Sequence, residues 1–329
     1  MHKIIASRPT FHQLPLHRMV SVDVIPETGF EMDQKSYDNA IRNGFFQVKM
    51  PSALKAHIAT LDAFVNKFYE NKKNDGSKED AYRGFNKQFN DANPNLLNPL
   101  QGYIVDNNKA DAKRQNQVER FSLVNSPTHP NWSFFPPEVK AAAESMNQLG
   151  IDVLKFVLKK LGVSDNFLAA ASGGAAINQG DHFNLYNHFD PSEKIRGLKE
   201  HKDWSNVTVL RSTQPGLCAQ IGGDWQRVQA TSPDYLVINF GTTLEILTQH
   251  LPENERVVAS NHLVTQQQTD RVSYTIFLDH GITTPIYELH DMGPDRRLVM
   301  HKHYPTFLAY AIEMSAKSYE GAGAGDEIV

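Results

Sequence analysis

The stretch RVSYTIFLD, residues 271 to 279, begins by alternating polar residues with apolar or aromatic ones. Neighbouring residues of a β-strand point to opposite faces, so Arg271, Ser273 and Thr275 are predicted to share one face. Three more β-rich runs lie upstream, separated by Gly, Pro, Asn and Asp: VTVL from 207, YLVINF from 235 and RVVASNHLV from 256. Short strands at such spacing predict a sandwich or a jelly-roll barrel.

Helical patterns dominate the first half of the chain. Apolar residues recur at helical spacing over 53–69 and again over 139–161. Strands are predicted at 19–26 and around 45–48, whereas 71–117 is predicted to be a long surface connection and the β-rich part to be confined to residues after about 175. The predicted fold class is α+β, mainly β, with a double-stranded β-helix (jelly-roll) core and N-terminal helices packed against it.

The domain organisation is predicted to be a single domain over 1–329. Within it, 1–174 forms an N-terminal α/β and helical region and 175–285 forms the jelly-roll core. Residues 286–329 form a C-terminal helix and tail.

The composition of the chain limits the kinds of molecule that the protein is expected to bind. Lys plus Arg total 33 against 37 for Asp plus Glu, so we expect no nucleic-acid partner. Cys218 is the single cysteine, which excludes an intramolecular disulfide and a thiolate cluster and favours a reducing cytoplasm. No run of about 18 apolar residues occurs, so we expect no membrane span. A cytoplasmic monomer or weak homo-oligomer that acts on a small-molecule substrate is expected.

His201 and Asp203 form an H-x-D pair that predicts a metal site. Residues i and i+2 of an extended chain project to the same side and can bind one ion together. His262 lies 59 residues beyond Asp203, far enough for several strands to return the chain to the pair. Two imidazoles and one carboxylate on one face of an octahedron leave three positions open, as in a non-haem iron(II) centre. These three residues are the predicted metal ligands and catalytic residues.

Arg271 is the candidate anchor for an organic acid. An Arg turned into a barrel interior needs a carboxylate partner, because an unpaired buried charge is costly. A bound acid could supply that carboxylate, with the Ser273 hydroxyl adding a hydrogen bond.

Taken in order, these motifs resemble the 2-oxoglutarate and iron(II)-dependent dioxygenase superfamily, specifically its isopenicillin N synthase-like branch. The resemblance covers roughly 20–280. H-x-D alone is common on protein surfaces, and the ordered set is what makes the likeness specific. The matching pieces in this sequence are HKD (201–203), the His262 region, RVS (271–273), GFFQV (44–48), FNLY (183–186) and INFGTTLEIL (238–247).

The resemblance implies the cofactors iron(II), 2-oxoglutarate as co-substrate, and O2. It also implies that Arg271 and Ser273 bind the distal carboxylate of 2-oxoglutarate, and that Asn184 and Tyr186 lie near it. The implied reaction decarboxylates 2-oxoglutarate to succinate and CO2 while a small metabolite is hydroxylated, desaturated or cyclised. Halogenation is disfavoured, because halogenases of the family replace the metal carboxylate with a small residue and Asp203 retains it.

Candidate substrate contacts are less well defined. Arg120, Phe121, His182 and Arg211 are the candidates, but each Arg fits a solvated or structurally paired role equally well. His182 stands where the family often has Arg, and Arg211-Ser212 where an apolar residue and Gln are usual. The sequence therefore does not predict the substrate.

Two alternatives stay open. In an oxidase of the isopenicillin N synthase type, R-x-S would hold the substrate's own carboxylate and no 2-oxoglutarate would be consumed. A non-catalytic jelly-roll binding protein would use the cavity for a ligand and need no redox metal.

Overall fold

The computed structural model describes residues 14–25, 29–72, 102–107, 115–126, 129–130, 137–191, 197–292 and 296–320. The strands are β1 (Ser21–Ile25), β2 (Gly29–Phe30), β3 (Phe45–Lys49), β4 (Gly102–Asn107), β5 (Gln115–Ser126), β6 (His129–Pro130), β7 (His182–Phe189), β8 (Leu198–His201), β9 (Val207–Ser212), β10 (Leu217–Ile221), β11 (Asp224–Arg227), β12 (Tyr235–Phe240), β13 (His262–Val264), β14 (Arg271–Leu278), β15 (Tyr287–Asp291) and β16 (Arg296–Met300).

The helices lie mostly before and after the strand-rich middle of the chain. They are α1 (Gln34–Asn43), α2 (Ser52–Lys72), α3 (Pro137–Lys160), α4 (Leu168–Ala171), α5 (Thr242–Thr248) and α6 (Phe307–Glu320), with 3-10 turns at Asp165–Phe167, Ala175–Ile177 and Glu253–Glu255. Among the described residues, no helix is both long and apolar enough to cross a membrane.

Ten of the described strands form one sheet in the order β2-β1-β3-β12-β9-β14-β7-β5-β4, with β6 paired to β5. Its pairs are antiparallel except for β1 with β3. A second sheet has the order β11-β10-β13-β8, and β15 pairs with β16 in a separate hairpin. A smaller apolar core joins the two larger sheets, with Phe45 and Phe189 from the first and Leu217 and Val264 from the second.

The main apolar core lies on the other side of the ten-stranded sheet. Helix α3 lies against β9 and β14 there, and α2 packs on α3. Gly150 lets α3 approach closely, since a Cβ at this position would meet Leu278 Cδ1 at 2.4 Å and Val209 Cγ2 at 3.1 Å. The two faces of β14 therefore differ: Val272 and Tyr274 face the helices, whereas Arg271, Ser273 and Thr275 face the space between the sheets.

Helix α1 is bounded by standard capping residues. The Asp33 side chain accepts a hydrogen bond from the Ser36 backbone N–H at 3.0 Å, and Gly44 ends the helix with φ +77°. A Cβ at Gly44 would lie 2.7 Å from the Val258 carbonyl oxygen, so no larger residue fits. The turn at Gly44 leads directly into β3, which pairs with β12 in the main sheet.

Several sequence-based predictions are wrong in detail. The β-rich part is not confined to residues after 175, because β4 and β5 lie at the edge of the main sheet and β1 and β3 at its other side. Strand β4 also falls within the predicted surface connection, most of which lies outside the described residues. The run from 256 is a strand only over His262–Val264, and the hairpin of β15 and β16 precedes the C-terminal helix.

Candidate active site

A cavity of about 260 Å³ lies between the two larger sheets. Polar side chains from both sheets converge on it. The polar lining residues include Arg120, Asn187, His201, Asp203, His262 and Arg271.

His201, Asp203 and His262 come together at one wall of this cavity. Strand β13 pairs with β8 so that His262 stands opposite His201, with ring centroids 4.3 Å apart. Asp203 Oδ1 lies 3.6 Å from His201 Nε2 and 3.4 Å from His262 Nε2. One nitrogen or oxygen from each residue therefore surrounds a common point, which is the donor set of a two-His, one-carboxylate iron site.

Backbone carbonyls fix the orientation of both imidazoles. His201 Nδ1–H donates to the Lys199 carbonyl at 2.7 Å, and His262 Nδ1–H donates to the Ser260 carbonyl at 3.1 Å. In neutral rings these bonds leave both Nε2 lone pairs facing the common point. Such outer hydrogen bonds set the tautomer and ring angle of metal-binding histidines.

The two oxygens of the Asp203 carboxylate have different partners. Its Oδ2 accepts hydrogen bonds from Thr208 Oγ1 at 2.7 Å and Asn239 Nδ2 at 2.8 Å. Its Oδ1 faces the two histidines instead. Thr208 and Asn239 therefore hold the carboxylate so that one oxygen stays available for a metal, and sequence reasoning did not identify either residue.

Charge in this cluster suits cation binding. Burial acts to raise the pKa of Asp203, but the charges and hydrogen bonds of His262 and His201 outweigh burial and hold the pKa well below its ordinary value. Burial acts to lower the pKa of His262, and Asp203 reverses this effect and raises it. The ionised Asp203 carboxylate can therefore balance the charge of a cation bound between the two neutral imidazoles.

A second anchor, Arg271, lies in the same cavity. The residue is 1% exposed, and its Nη1 is buried without a hydrogen-bond partner among the described residues. Its Nε–H donates to the Gln214 carbonyl at 3.2 Å, and its guanidinium carbon lies 4.6 Å from the Phe189 ring centroid. Burial lowers the pKa of Arg271 to about 9, so the group stays cationic at neutral pH.

Ser273 lies one step along the same strand face and is 3% exposed. Asn187 stands opposite it on β7, with Asn187 Nδ2 3.5 Å from Ser273 Oγ. Arg271 Nη1 and the Ser273 hydroxyl can thus both donate to one carboxylate in the cavity.

The structure contradicts the positions implied for Asn184 and Tyr186. Both lie on the helix-facing side of β7: Tyr186 is fully buried in the main core and packs on Tyr274 with ring centroids 5.8 Å apart. Leu185, Asn187 and Phe189 alternate with them and line the cavity. The polar neighbour of Ser273 is therefore Asn187, which the sequence reasoning missed because side-chain direction reverses at every residue of a strand.

Two candidate substrate contacts also lie away from the cavity. Arg211 is on the helix-facing side of β9, where its Nη2 lies 3.5 Å from Asp62 Oδ2. His182 shares the face of Asn184, and its Nε2 lies 3.1 Å from Asn178 Oδ1. Neither residue lines the cavity.

The remaining two candidates are on β5. Arg120 lines the cavity and stands opposite Asn187. Phe121 stands opposite Tyr186 in the backbone register, but its side chain lies outside the described part of the structure.

Helix α5 supports the H-x-D segment from behind. The Thr242 N–H donates to the Asp203 carbonyl at 2.8 Å. Lys202 Nζ lies 2.9 Å from Glu245 Oε2, and Glu245 Oε1 accepts a hydrogen bond from the Ala259 N–H at 3.1 Å. This ion pair links the segment that carries His201 and Asp203 to the one that leads to His262.

Comparison with known proteins agrees with this geometry. Residues 178–280 match the family model of the 2OG-Fe(II) oxygenase superfamily. The matched region contains His201, Asp203, His262 and Arg271. A mugineic-acid 3-dioxygenase of Hordeum vulgare is 33% identical over 146 residues, which are 43% of this chain. The matched segment spans only 40% of that relative's length.

Solved structures resemble the fold over most of the chain. JOX2 in complex with 2OG, Fe and JA superposes with a TM-score of 0.66 at 17% identity, covering 94% of this chain and 90% of JOX2. The dioxygenase for auxin oxidation from rice superposes with a TM-score of 0.63 at 21% identity, covering 94% and 98% of the two chains. These likenesses support a jelly-roll core within a mixed fold of mainly antiparallel sheets.

The described residues fit the cofactors of the superfamily, which are iron(II), 2-oxoglutarate and O2. His201, Asp203 and His262 supply the nitrogen and oxygen donors that iron(II) accepts. Arg271 supplies an unpartnered buried cation for a carboxylate. The matched family model and the name of the relative both denote oxygenases.

Proposed function

We propose that this protein is an iron(II)- and 2-oxoglutarate-dependent oxygenase that oxidises a small, acidic molecule. The observation that carries the proposal is the meeting of two features in one cavity: the three-residue cluster of His201, Asp203 and His262, and the unpartnered Nη1 of Arg271. A simple binding module would need no such set of metal ligands beside a buried cation.

When bound, iron(II), 2-oxoglutarate and O2 supply the oxidising chemistry and release succinate and CO2, while the protein supplies binding and orientation. His201, Asp203 and His262 would hold the metal, each oriented by the hydrogen bonds described above. Arg271 and Ser273 would hold the distal carboxylate of 2-oxoglutarate.

Two observations support an acidic substrate. Asp203 is the single carboxylate among the described lining residues, whereas Arg120 and Arg271 both contribute cations. The relative's name also denotes an acid, mugineic acid. Hydroxylation, desaturation and ring closure all begin from this arrangement.

The test of function is anaerobic titration of the iron-loaded protein with 2-oxoglutarate, followed by its metal-to-ligand charge-transfer absorbance. We expect a band in wild type and none in His262→Ala, which lacks one ligand. Succinate release in air then distinguishes a 2-oxoglutarate-dependent oxygenase from an oxidase that does not consume 2-oxoglutarate. Substrate-dependent turnover without succinate would favour the oxidase that does not use 2-oxoglutarate, and failure to bind iron would favour the binding protein.

The substrate proposal has a separate test. Small carboxylic acids and their neutral amides are compared for stimulation of succinate release. Acids should stimulate release and amides should not. Arg120→Gln should raise the KM for an active acid while leaving the affinity for 2-oxoglutarate unchanged, and equal stimulation by acids and amides would contradict an acidic substrate.

A further inference from the structure

A second cluster of metal-ligating side chains lies outside the cavity, between the end of α5 and the hairpin of β15 and β16. His250 follows α5, and Glu288 and His290 lie on β15 at positions i and i+2, so they share a strand face. His250 Nε2 lies 3.2 Å from Glu288 Oε1, and His290 Nε2 lies 3.4 Å from Glu288 Oε2. The rings of His250 and His290 have centroids 4.4 Å apart.

These separations match the donor spacing of a small divalent cation. One ligand atom from each of the three residues lies within 4.8 Å of the other two. Zinc bonds to imidazole nitrogen and carboxylate oxygen are roughly 2.0–2.2 Å, which places neighbouring ligands of a tetrahedral site about 3.3 Å apart. Only small side-chain rotations would be needed for these three ligand atoms to bind one ion.

His301 has a different role in the cluster. Its Nδ1 accepts hydrogen bonds from the backbone N–H groups of Tyr304 at 2.9 Å and His303 at 3.2 Å. The proton of the neutral ring is therefore on Nε2, which faces Glu288 Oε1 at 3.6 Å. An Nε2–H cannot ligate a metal, but from this position it could turn toward the carboxylate and orient it, as outer hydrogen bonds do in metal sites.

The three side chains of the cluster differ in their exposure to solvent. The Glu288 side chain is 11% exposed, and the Gln249 side-chain amide also donates to its Oε1. The His290 and His250 side chains are 31% and 47% exposed. The carboxylate is therefore held from the protein side while the two imidazoles leave a route from solvent.

We propose that His250, Glu288 and His290 form a zinc-binding site, with water as the fourth ligand and His301 as the positioning residue for Glu288. Two imidazoles and a carboxylate are a common zinc donor set. The site is separate from the cavity and shares no ligand with it.

The place of this site in the fold gives it a structural role. Among the described strands, β15 and β16 pair only with each other. A zinc ion bound to Glu288, His290 and His250 would link this hairpin to the end of α5. The same helix contacts Asp203 through the Thr242 N–H and Lys202 through Glu245. Zinc would thus tighten the support behind the H-x-D segment.

The experiment counts zinc ions bound to tag-free, chelator-treated protein by native mass spectrometry. Wild type should bind two equivalents, one in each cluster. His201→Ala and His290→Ala should each bind one, and the double variant should bind none. His303→Ala is the matched control, because His303 is 67% exposed and pairs with Glu313 instead; it should bind two.

The variants separate this proposal from the proposed function. If His290→Ala binds as many ions as wild type, or if His201→Ala binds none, the second site is wrong. If His290→Ala loses one ion and His201→Ala loses none, the second site stands and the cavity cluster fails. His250→Ala repeats the test with a side chain from another segment, and circular dichroism confirms that each variant is folded.

Two further readouts test the assigned roles. His301→Ala should keep the ion but bind it about 10–100-fold more weakly, since it removes only an orienting group. In the His201→Ala background, zinc should raise the Tm, and the added His290→Ala should abolish that rise. An unchanged affinity in His301→Ala would overturn its positioning role.

Discussion

At the scale of single residues, Arg271 and Arg211 carry the same charge but lie on opposite faces of the main sheet. Arg271→Leu should weaken 2-oxoglutarate binding by tens to thousands of fold, because loss of a charged partner at a buried carboxylate costs about 2–5 kcal/mol. Arg211→Leu should leave it unchanged, since Arg211 faces Asp62. Titration of the anaerobic iron complex measures both. Equal affinities in wild type and Arg271→Leu would contradict the carboxylate site.

Also at this scale, Thr208 tests whether the hydrogen bonds to Asp203 position a metal ligand. Thr208→Val removes a donor to Asp203 Oδ2 while keeping the shape of the side chain, so iron(II) affinity should fall by about 10–100-fold. Thr275→Val is the matched control, because Thr275 lines the same cavity and has no role in holding the ligands. An equal effect of both substitutions on the measured iron Kd would rule out a specific role for Thr208.

At the scale of elements, the sequence predicted the helices better than the strand pairing. The apolar stripes over 53–69 and 139–161 correspond to α2 and α3, because a helix is defined by local spacing. Strand β5 was missed, since its sequence QNQVERFSLVNS alternates weakly and its partners β4 and β7 are set by the whole fold. The alternation of β14 correctly separated Arg271 and Ser273 from Val272 and Tyr274, whereas matching FNLY to the family put the wrong face of β7 in the cavity.

The contact of α3 with the sheet depends on Gly150. Gly150→Ala should lower the free energy of unfolding by about 1–3 kcal/mol, because the added methyl group meets the buried Leu278 and overpacks the interface. Helix propensity acts in the opposite direction by about 1 kcal/mol, so the sign of the change decides which effect dominates. Gln148→Ala, on the exposed side of α3, is the control in urea unfolding. A more stable Gly150→Ala protein would contradict this packing.

At the scale of the whole molecule, the spacing of the short strands and the family resemblance of H-x-D, distal His and R-x-S together predicted a jelly-roll core. In the structure the two larger sheets bring these distant residues to one cavity. The sequence could not reveal the second cluster in the same way. His250 and Glu288 belong to segments that meet only after the hairpin folds onto α5, and no family motif joins them.

Global stability should fall in mild acid because two histidines are buried as neutral rings. Burial lowers the pKa of His182 to about 4 and that of His280 to about 4. An unfolded His titrates near 6.5, so between pH 6.5 and pH 4 the unfolded chain binds more protons than the folded protein, and stability decreases as the pH falls. Each ring should cost about 2 kcal/mol between pH 7 and pH 5.

One buried carboxyl opposes this trend. Burial and the charges of Asp181 and Asp203 raise the pKa of Asp279 well above its ordinary value, so protonation of Asp279 in acid favours the folded state. Single variants isolate each histidine from this offset: His182→Gln and His280→Gln should each flatten the curve of unfolding free energy against pH by about 2 kcal/mol between pH 7 and pH 5. Gln148→Ala, which changes a non-titrating residue on the exposed side of α3, should leave the curve as in wild type. Urea unfolding at both pH values gives the comparison, and a curve that neither buried substitution flattens would mean that these rings do not stay neutral in the folded protein.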